Sequence, residues 1–146
     1  MEAKSNVWTH GKRMVLAVAL CIGLVAINRD GSAGQGVLDG KTFVVETGEK
    51  GKSGTDKDTL VFKDGNFRST SCDRYGFGDG AYTSSVDDGT IRFEAVTTSP
   101  TKGKMTWKGT VQGDRIEVSY VWVDAPHWYK PNPQPLEKWA KGELKK

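Results

Sequence analysis

From Val37 onward, apolar and polar residues alternate in short runs. Ile91, Phe93 and Ala95 fall on one side of an extended chain, with Arg92 and Glu94 on the other. Met105, Trp107, Gly109 and Val111 oppose Lys104, Thr106, Lys108 and Thr110 in the same way, and Ile116, Val118, Tyr120 and Trp122 form a third row. Successive side chains of a strand point to opposite faces, so period two over such runs predicts half-buried β-strands. Eight segments rich in Val, Ile, Phe, Tyr, Trp and Thr read this way: Lys41–Thr47, Thr59–Lys63, Asn66–Cys72, Ala81–Val86, Thr90–Thr97, Lys104–Gln112, Arg115–Asp124 and Leu136–Glu143. Asp64-Gly65, Asp88-Gly89 and Gly113-Asp114 sit between consecutive runs. Such pairs accept the positive φ of tight hairpin turns, so neighbours in sequence should pair in space.

Eight short strands leave little chain for helices. The predicted fold is all-β: an antiparallel up-and-down meander, closed or nearly closed into a small barrel, because closure removes exposed edges. A barrel of about eight strands has an interior just wide enough to be filled by side chains or to hold one small ligand. Val121 and Val123 make the end of the seventh strand apolar on both faces. The following stretch Ala125–Pro135 holds four of the five prolines together with His127, Trp128 and Tyr129. It reads as a stiff loop that packs through its rings, either as a cover over the barrel end or as a ligand-facing loop. Gly48–Lys57 reads as a mobile, solvated connection.

The N-terminus breaks the pattern. Lys4, Lys12 and Arg13 form a basic front, and Met14–Ile27 is an uncharged apolar run followed by the small residues Gly31-Ser32-Ala33. Residues 1–35 therefore have the build of a secretory signal peptide with cleavage near Ala33, leaving a single barrel domain over 36–146 in the periplasm or outside the cell. Fourteen helical residues would span ~21 Å against the ~30 Å hydrocarbon core, so membrane contact is expected only through an uncleaved signal. Cys21 follows Leu20 and does not fit a lipid-attachment site. Cleavage takes four of the 21 Lys and Arg and two of the 18 Asp and Glu with it, leaving 17 basic against 16 acidic residues. With the signs mixed along a nearly neutral chain, no nucleic-acid footprint stands out, and the basic tail of Lys141, Lys145 and Lys146 reads as a solvated end.

Candidate chemistry is sparse. Beyond the signal, Cys72 is the only cysteine and His127 the only histidine, so neither an internal disulfide nor a zinc site is expected, and nothing places the two as a thiolate–imidazole pair. The acidic pairs Asp56/Asp58 and Asp87/Asp88 fall in predicted turns, where Asp bonds the local backbone. No catalytic residue, metal site or cofactor is assigned. The segment Ser71–Tyr82 is the most unusual, placing Cys72, Arg74, Tyr75, Phe77 and Tyr82 around a glycine-rich bend. Two readings of it stand: Tyr75 and Phe77 plug one barrel end, or the segment rims a small-molecule mouth in which Arg74 suits a carboxylate or phosphate.

Leu38-Asp39-Gly40-Lys41-Thr42-Phe43 resembles the Gly-x-Trp start of lipocalins, with Gly-x-x-Phe spacing here. Met105-Thr106-Trp107-Lys108-Gly109 and Gly113-Asp114-Arg115-Ile116 resemble a late hairpin of small bacterial secreted lipocalin-like proteins. The resemblance to these calycin-like families implies a binding barrel and names no ligand. The leading expectation is an exported barrel holding a small, partly apolar ligand, with Trp107, Tyr120 and Trp122 lining the interior and Cys72, Arg74, Tyr75, Phe77 and Tyr82 the rim. The alternative is a solid-core secreted domain that acts through its surface; the sequence leaves the oligomeric state open.

Overall fold

Three two-residue turns set the register of the sheet. Asp64 and Gly65 have φ of +52° and +75°, and Asp88 and Gly89 have +48° and +76°, the paired positive values of type I′ hairpins. In the Gly113-Asp114 turn only Gly113 is positive, at +56°. The computed structural model describes residues 36–146; the signal peptide expected over residues 1–35 lies outside them. Among the described residues no helix is long and apolar enough to cross a membrane.

Eight strands follow in order: β1 Thr42–Glu49, β2 Asp56–Lys63, β3 Asn66–Ser69, β4 Gly80–Asp87, β5 Thr90–Ser99, β6 Gly103–Gln112, β7 Arg115–Val123 and β8 Leu136–Leu144. Each pairs antiparallel with its neighbour, and β8 returns to β1 from Phe43↔Leu144 to Glu49↔Lys138, closing the barrel. The expected meander barrel is the fold observed. The β2–β3, β4–β5 and β6–β7 turns gather at one end, called here the turn end. The remaining connections, 50–55, 70–79, 100–102 and 124–135, gather at the other, the loop end.

The alternation read from the sequence carries over to burial. Phe93, Ala95, Met105, Trp107, Val111, Ile116, Val118 and Tyr120 all point inward and are buried, while Ile91 and Trp122 are half-buried against the core. The turn half of the interior is solid with rings. Phe62 meets Phe43, Phe67, Tyr82 and Phe93 at centroid distances of 6.1, 5.3, 5.1 and 4.9 Å, mostly edge to face. Phe67 passes the contact on to Trp107 at 4.9 Å, and Trp107 stacks on Tyr120 at 4.2 Å. Gly109 is required by this packing, since a Cβ there would lie 2.3 Å from the Phe93 ring. The indole Nε1–H of Trp107 donates to Thr97 Oγ1 at 3.0 Å, so the one polar atom of that ring is satisfied in the core.

A turn over Gly36–Gly40 closes the turn end. Leu38 is fully buried there, its amide donates to the Tyr82 hydroxyl at 3.1 Å, and that hydroxyl donates to Asp39 at 2.8 Å. Asp39 also accepts from the Gly65 amide at 3.0 Å, tying this plug to the β2–β3 turn.

Four expectations need correction. The third strand was expected to run to Cys72; it ends at Ser69, and a 3-10 helix occupies Thr70–Tyr75. Asp56 and Asp58 were expected in a turn; both lie in β2, with Asp58 inward and buried. The Ala125–Pro135 stretch does not pack its rings on the barrel: Trp128 is 93% exposed and Tyr129 66% exposed. Its aromatic residues instead contact each other, His127 stacking on Tyr129 at 5.2 Å, with a bridge between His127 and Lys130 holding the bend. The 50–55 connection, expected to be mobile, is fastened on one side. The Trp139 indole on the outer wall donates to the carbonyls of Glu49 and Lys52, both at 3.1 Å.

Because Phe62 touches four other rings, Phe62→Ala should cost about 3–5 kcal/mol of unfolding free energy in a guanidinium titration. A loss below about 1 kcal/mol would mean that the ring cluster is not the shared core of the barrel.

Candidate functional site

The rings that fill the turn half stop short of the loop end. Above the stacked Trp107 and Tyr120, the interior opens into a cavity of about 320 Å³. Its walls come from every side of the barrel: Thr47 from β1, Asp56 and Lys57 from β2, Met105 from β6, Tyr120 and Trp122 from β7, and Lys138 from β8. The β3–β4 connection supplies Ser71, Cys72, Arg74, Tyr75 and Phe77, and the β5–β6 turn supplies Lys102.

The β3–β4 connection reaches the cavity because β3 is cut short. Only Asn66↔Ala81 and Phe67↔Gly80 pair these two strands, so their seam opens toward the loop end and the 3-10 helix lies across it. Asp58 holds the helix in place. Its carboxylate accepts from the Ser69 hydroxyl, the Ser71 amide at 2.9 Å, the Thr59 amide at 2.7 Å and, more loosely, the Thr70 hydroxyl at 3.4 Å. A buried carboxylate is tolerated when donors surround it, and this set turns the chain out of the strand direction at Ser69. Arg68 secures the outer side, its guanidinium forming two hydrogen bonds with Asp73 at 2.9 and 2.8 Å. Ser99 then donates to the Tyr75 carbonyl at 2.7 Å, pinning the far end of the segment to β5.

Of the candidates read from the sequence, six line this one cavity: Cys72, Arg74, Tyr75, Phe77, Tyr120 and Trp122. Two lie elsewhere. Trp107 is one layer deeper, in the packed core under Tyr120, and Tyr82 is at the opposite end, bound to Asp39 and Leu38. The two readings of the Ser71–Tyr82 bend divide by residue. Phe77 is buried and fills space as a plug would, whereas Tyr75 is 45% exposed at the rim.

Sequence reasoning missed Lys138, Lys102, Lys57, Thr47, Asp56, Ser71 and Met105. Lys138 was within reach, because it shares parity with Ala140, which is 1% exposed, and with Gly142. That parity places a lysine on the inner face of β8. The others come from distant segments that only barrel closure brings together.

The floor of the cavity is soft and weakly acidic. The Cys72 thiol lies 3.9 Å from the Met105 sulfur, and burial pushes its pKa up. Burial likewise pushes the Tyr120 phenol up to about 12, even though its hydroxyl shares a 2.6 Å hydrogen bond with Thr47. The rim is cationic, with Lys57, Arg74, Lys102 and Lys138 against the single carboxylate of Asp56. His127 stays outside this group, 3.7 Å from Asp124, so the structure does not bring the thiol and the imidazole to one place. Among the described residues no three His, Cys, Asp or Glu side chains converge as a metal site would require. A second concavity of about 490 Å³ lies on the outer wall across β5–β8, but it is a charged saddle whose Lys108 and Lys141 already face Glu94 and Glu117 at 3.3 and 3.9 Å.

The fold and the cavity together define a closed eight-stranded meander barrel, solid at its turn end and open at its loop end. No protein-family model, curated protein or solved structure matches this chain.

Two outcomes are expected. With its thiolate disfavoured, Cys72 should react with iodoacetamide at neutral pH at least about tenfold more slowly than a free cysteine. Asp58→Ala, which frees the 3-10 helix, should speed the reaction, and equal rates in the two proteins would contradict the latch. Tyr82 is also pushed up to about 12, chiefly by burial. Both phenols thus hold their protons more tightly folded than unfolded, where the value is about 10. Their stabilisation is complete below about pH 10 and is lost as pH rises toward about 12. Circular dichroism should show stability falling across that window, less steeply in Tyr120→Phe.

Proposed function

We propose that this protein is an exported, lipocalin-like binding barrel whose loop-end cavity holds one small, partly apolar ligand. The observation that carries the reading is a mouth cavity of about 320 Å³ in which the rings of Tyr75, Phe77, Tyr120 and Trp122 face a rim of charged and polar side chains. Small-molecule sites are concave clefts of roughly 300–1,000 Å³, and this one falls at the small end of that range, more polar at its rim than most. The solid turn half limits the ligand to the mouth, so it is shorter than a molecule that would thread the whole barrel. Export rests on the basic front, the apolar run and the small residues before Ala33. Kinship with calycin-like proteins rests on the Leu38–Phe43 and Met105–Ile116 motifs.

Native mass spectrometry of the mature protein purified from its own source tests the reading. A retained small molecule, displaced in Trp122→Ala, is the expected result; reproducible recovery of the bare mass from the unaltered protein would overturn it.

One observation favours a second reading, in which the barrel acts through its surface. Trp128 and Tyr129 stand out into solvent on a proline-stiffened loop, and exposed aromatic rings of that kind commonly mark interaction sites. Under that reading Trp128→Ser abolishes partner capture and leaves ligand retention unchanged.

A further inference from the structure

The charges around the mouth are unbalanced in one direction. Four cationic side chains, Lys57, Arg74, Lys102 and Lys138, line it against the one carboxylate of Asp56. Among the described residues none of the four forms an ion pair. Lysines at a rim are ordinary when they extend into water, but Lys138 does not fit that description. It sits on the inner face of β8 and is half-buried, and its ammonium lies 5.9 Å from the centroid of the Tyr120 ring, inside the barrel mouth. The buried carboxylate of Asp58 forms its hydrogen bonds with the donors that hold the 3-10 helix and makes no ion pair with Lys138. Glu49 lies opposite Lys138 across the β1–β8 pair and feels its charge, but that carboxylate is already bound by Lys52. A partly buried cation whose counter-charge is shared in this way is stabilised further by an anion that reaches it.

Arg74 stands at the rim with its guanidinium 4.9 Å from the Tyr75 ring centroid. Stacking on a ring leaves the edge of a guanidinium free to donate, and that planar fork matches a carboxylate. Between and below these cations lie Phe77, Tyr120 and Trp122, which offer ring surface and few polar atoms.

We infer that the mouth takes a flat amphipathic carboxylate, its apolar body against Phe77, Tyr120 and Trp122 and its anionic head between Arg74 and Lys138. The inference rests on the binding function proposed above and adds the charge and shape of the ligand. The aromatic walls and the volume separate this site from one for a small inorganic anion, which would leave the rings idle. The cationic rim separates it from a site for a neutral or cationic ligand.

The test uses two probes of the same shape, naphthylacetate and its neutral amide naphthylacetamide, titrated calorimetrically into the mature protein. The carboxylate should bind at least about tenfold tighter than the amide, and rising salt should weaken the carboxylate alone. Arg74→Gln and Lys138→Met should each reduce the preference severalfold, with circular dichroism reporting that the variant is folded. Equal affinity for the two probes overturns the anionic ligand and leaves the binding function standing. Binding of neither probe to the unaltered protein overturns both. Should Lys138→Met bind neither probe, Arg74→Gln decides, since its side chain is exposed and not needed for folding; an undiminished preference there overturns the inference.

Discussion

The volume enclosed by an eight-stranded barrel is the constraint on which the rest of this structure depends. Strand number sets that volume within narrow limits, so every large inward side chain removes space from anything else the barrel could hold. Here Phe43, Phe62, Phe67, Tyr82, Phe93 and Trp107 are all buried, and their ring contacts run unbroken from the turn end to Tyr120. Beyond Tyr120 the inward positions are Thr47, Asp56, Met105, Trp122 and Lys138, which are polar, flexible or only half-buried. The cavity is what remains where the rings stop. Ring placement therefore settles where a ligand could fit, and it does so at the end where the connections are long.

That division also bears on stability. Cys72 is a free thiol, so the described chain has no disulfide to help hold it. A domain of this size without such a staple depends on its hydrophobic core, and the aromatic half supplies it. The loop half is held more by polar contacts than by packing. Asp58 and its four donors, Arg68 with Asp73, and Ser99 with the Tyr75 carbonyl each tie one part of the β3–β4 connection to the barrel. Hydrogen bonds of this kind contribute about 0.5–1.5 kcal/mol net for neutral partners and more for charged ones. The mouth is thereby positioned without being filled.

The meander, its order and most of its inward residues were legible in the sequence because period-two alternation and type I′ turn pairs are local signals. Asp64-Gly65 and Asp88-Gly89 accept the positive φ of a tight hairpin turn, and the structure shows that backbone at both. What was not legible depended on closure. The third strand read as running to Cys72 because nothing in Thr70-Ser71-Cys72 resists extension; the side chain that diverts it, Asp58, lies in a different strand. Asp58 itself read as a turn residue since aspartate usually is one, and its burial follows only from the donors that meet it. The proline-rich loop misled in the opposite sense. Its aromatic residues suggested a packed cover, yet they satisfy one another by stacking and leave Trp128 in solvent.

The gathering of cations at the mouth illustrates why net charge is a poor guide to a site. Lys57, Arg74, Lys102 and Lys138 are separated by many residues, and residues 36–146 carry 17 basic against 16 acidic side chains, so no run or patch marks them in sequence. Antiparallel order changes that. Every second connection of a meander emerges at the same end, and the strand ends beside those connections converge there too, so residues far apart in the chain meet at one rim. Outside the barrel the same lysine chemistry is neutralised in pairs, Lys108 with Glu94 and Lys141 with Glu117. Asp58, the buried carboxylate that could have played that part at the mouth, is engaged by the 3-10 helix instead. Asp58 thus shapes the opening, and the excess of cations at the rim comes from the strand ends and connections that converge there.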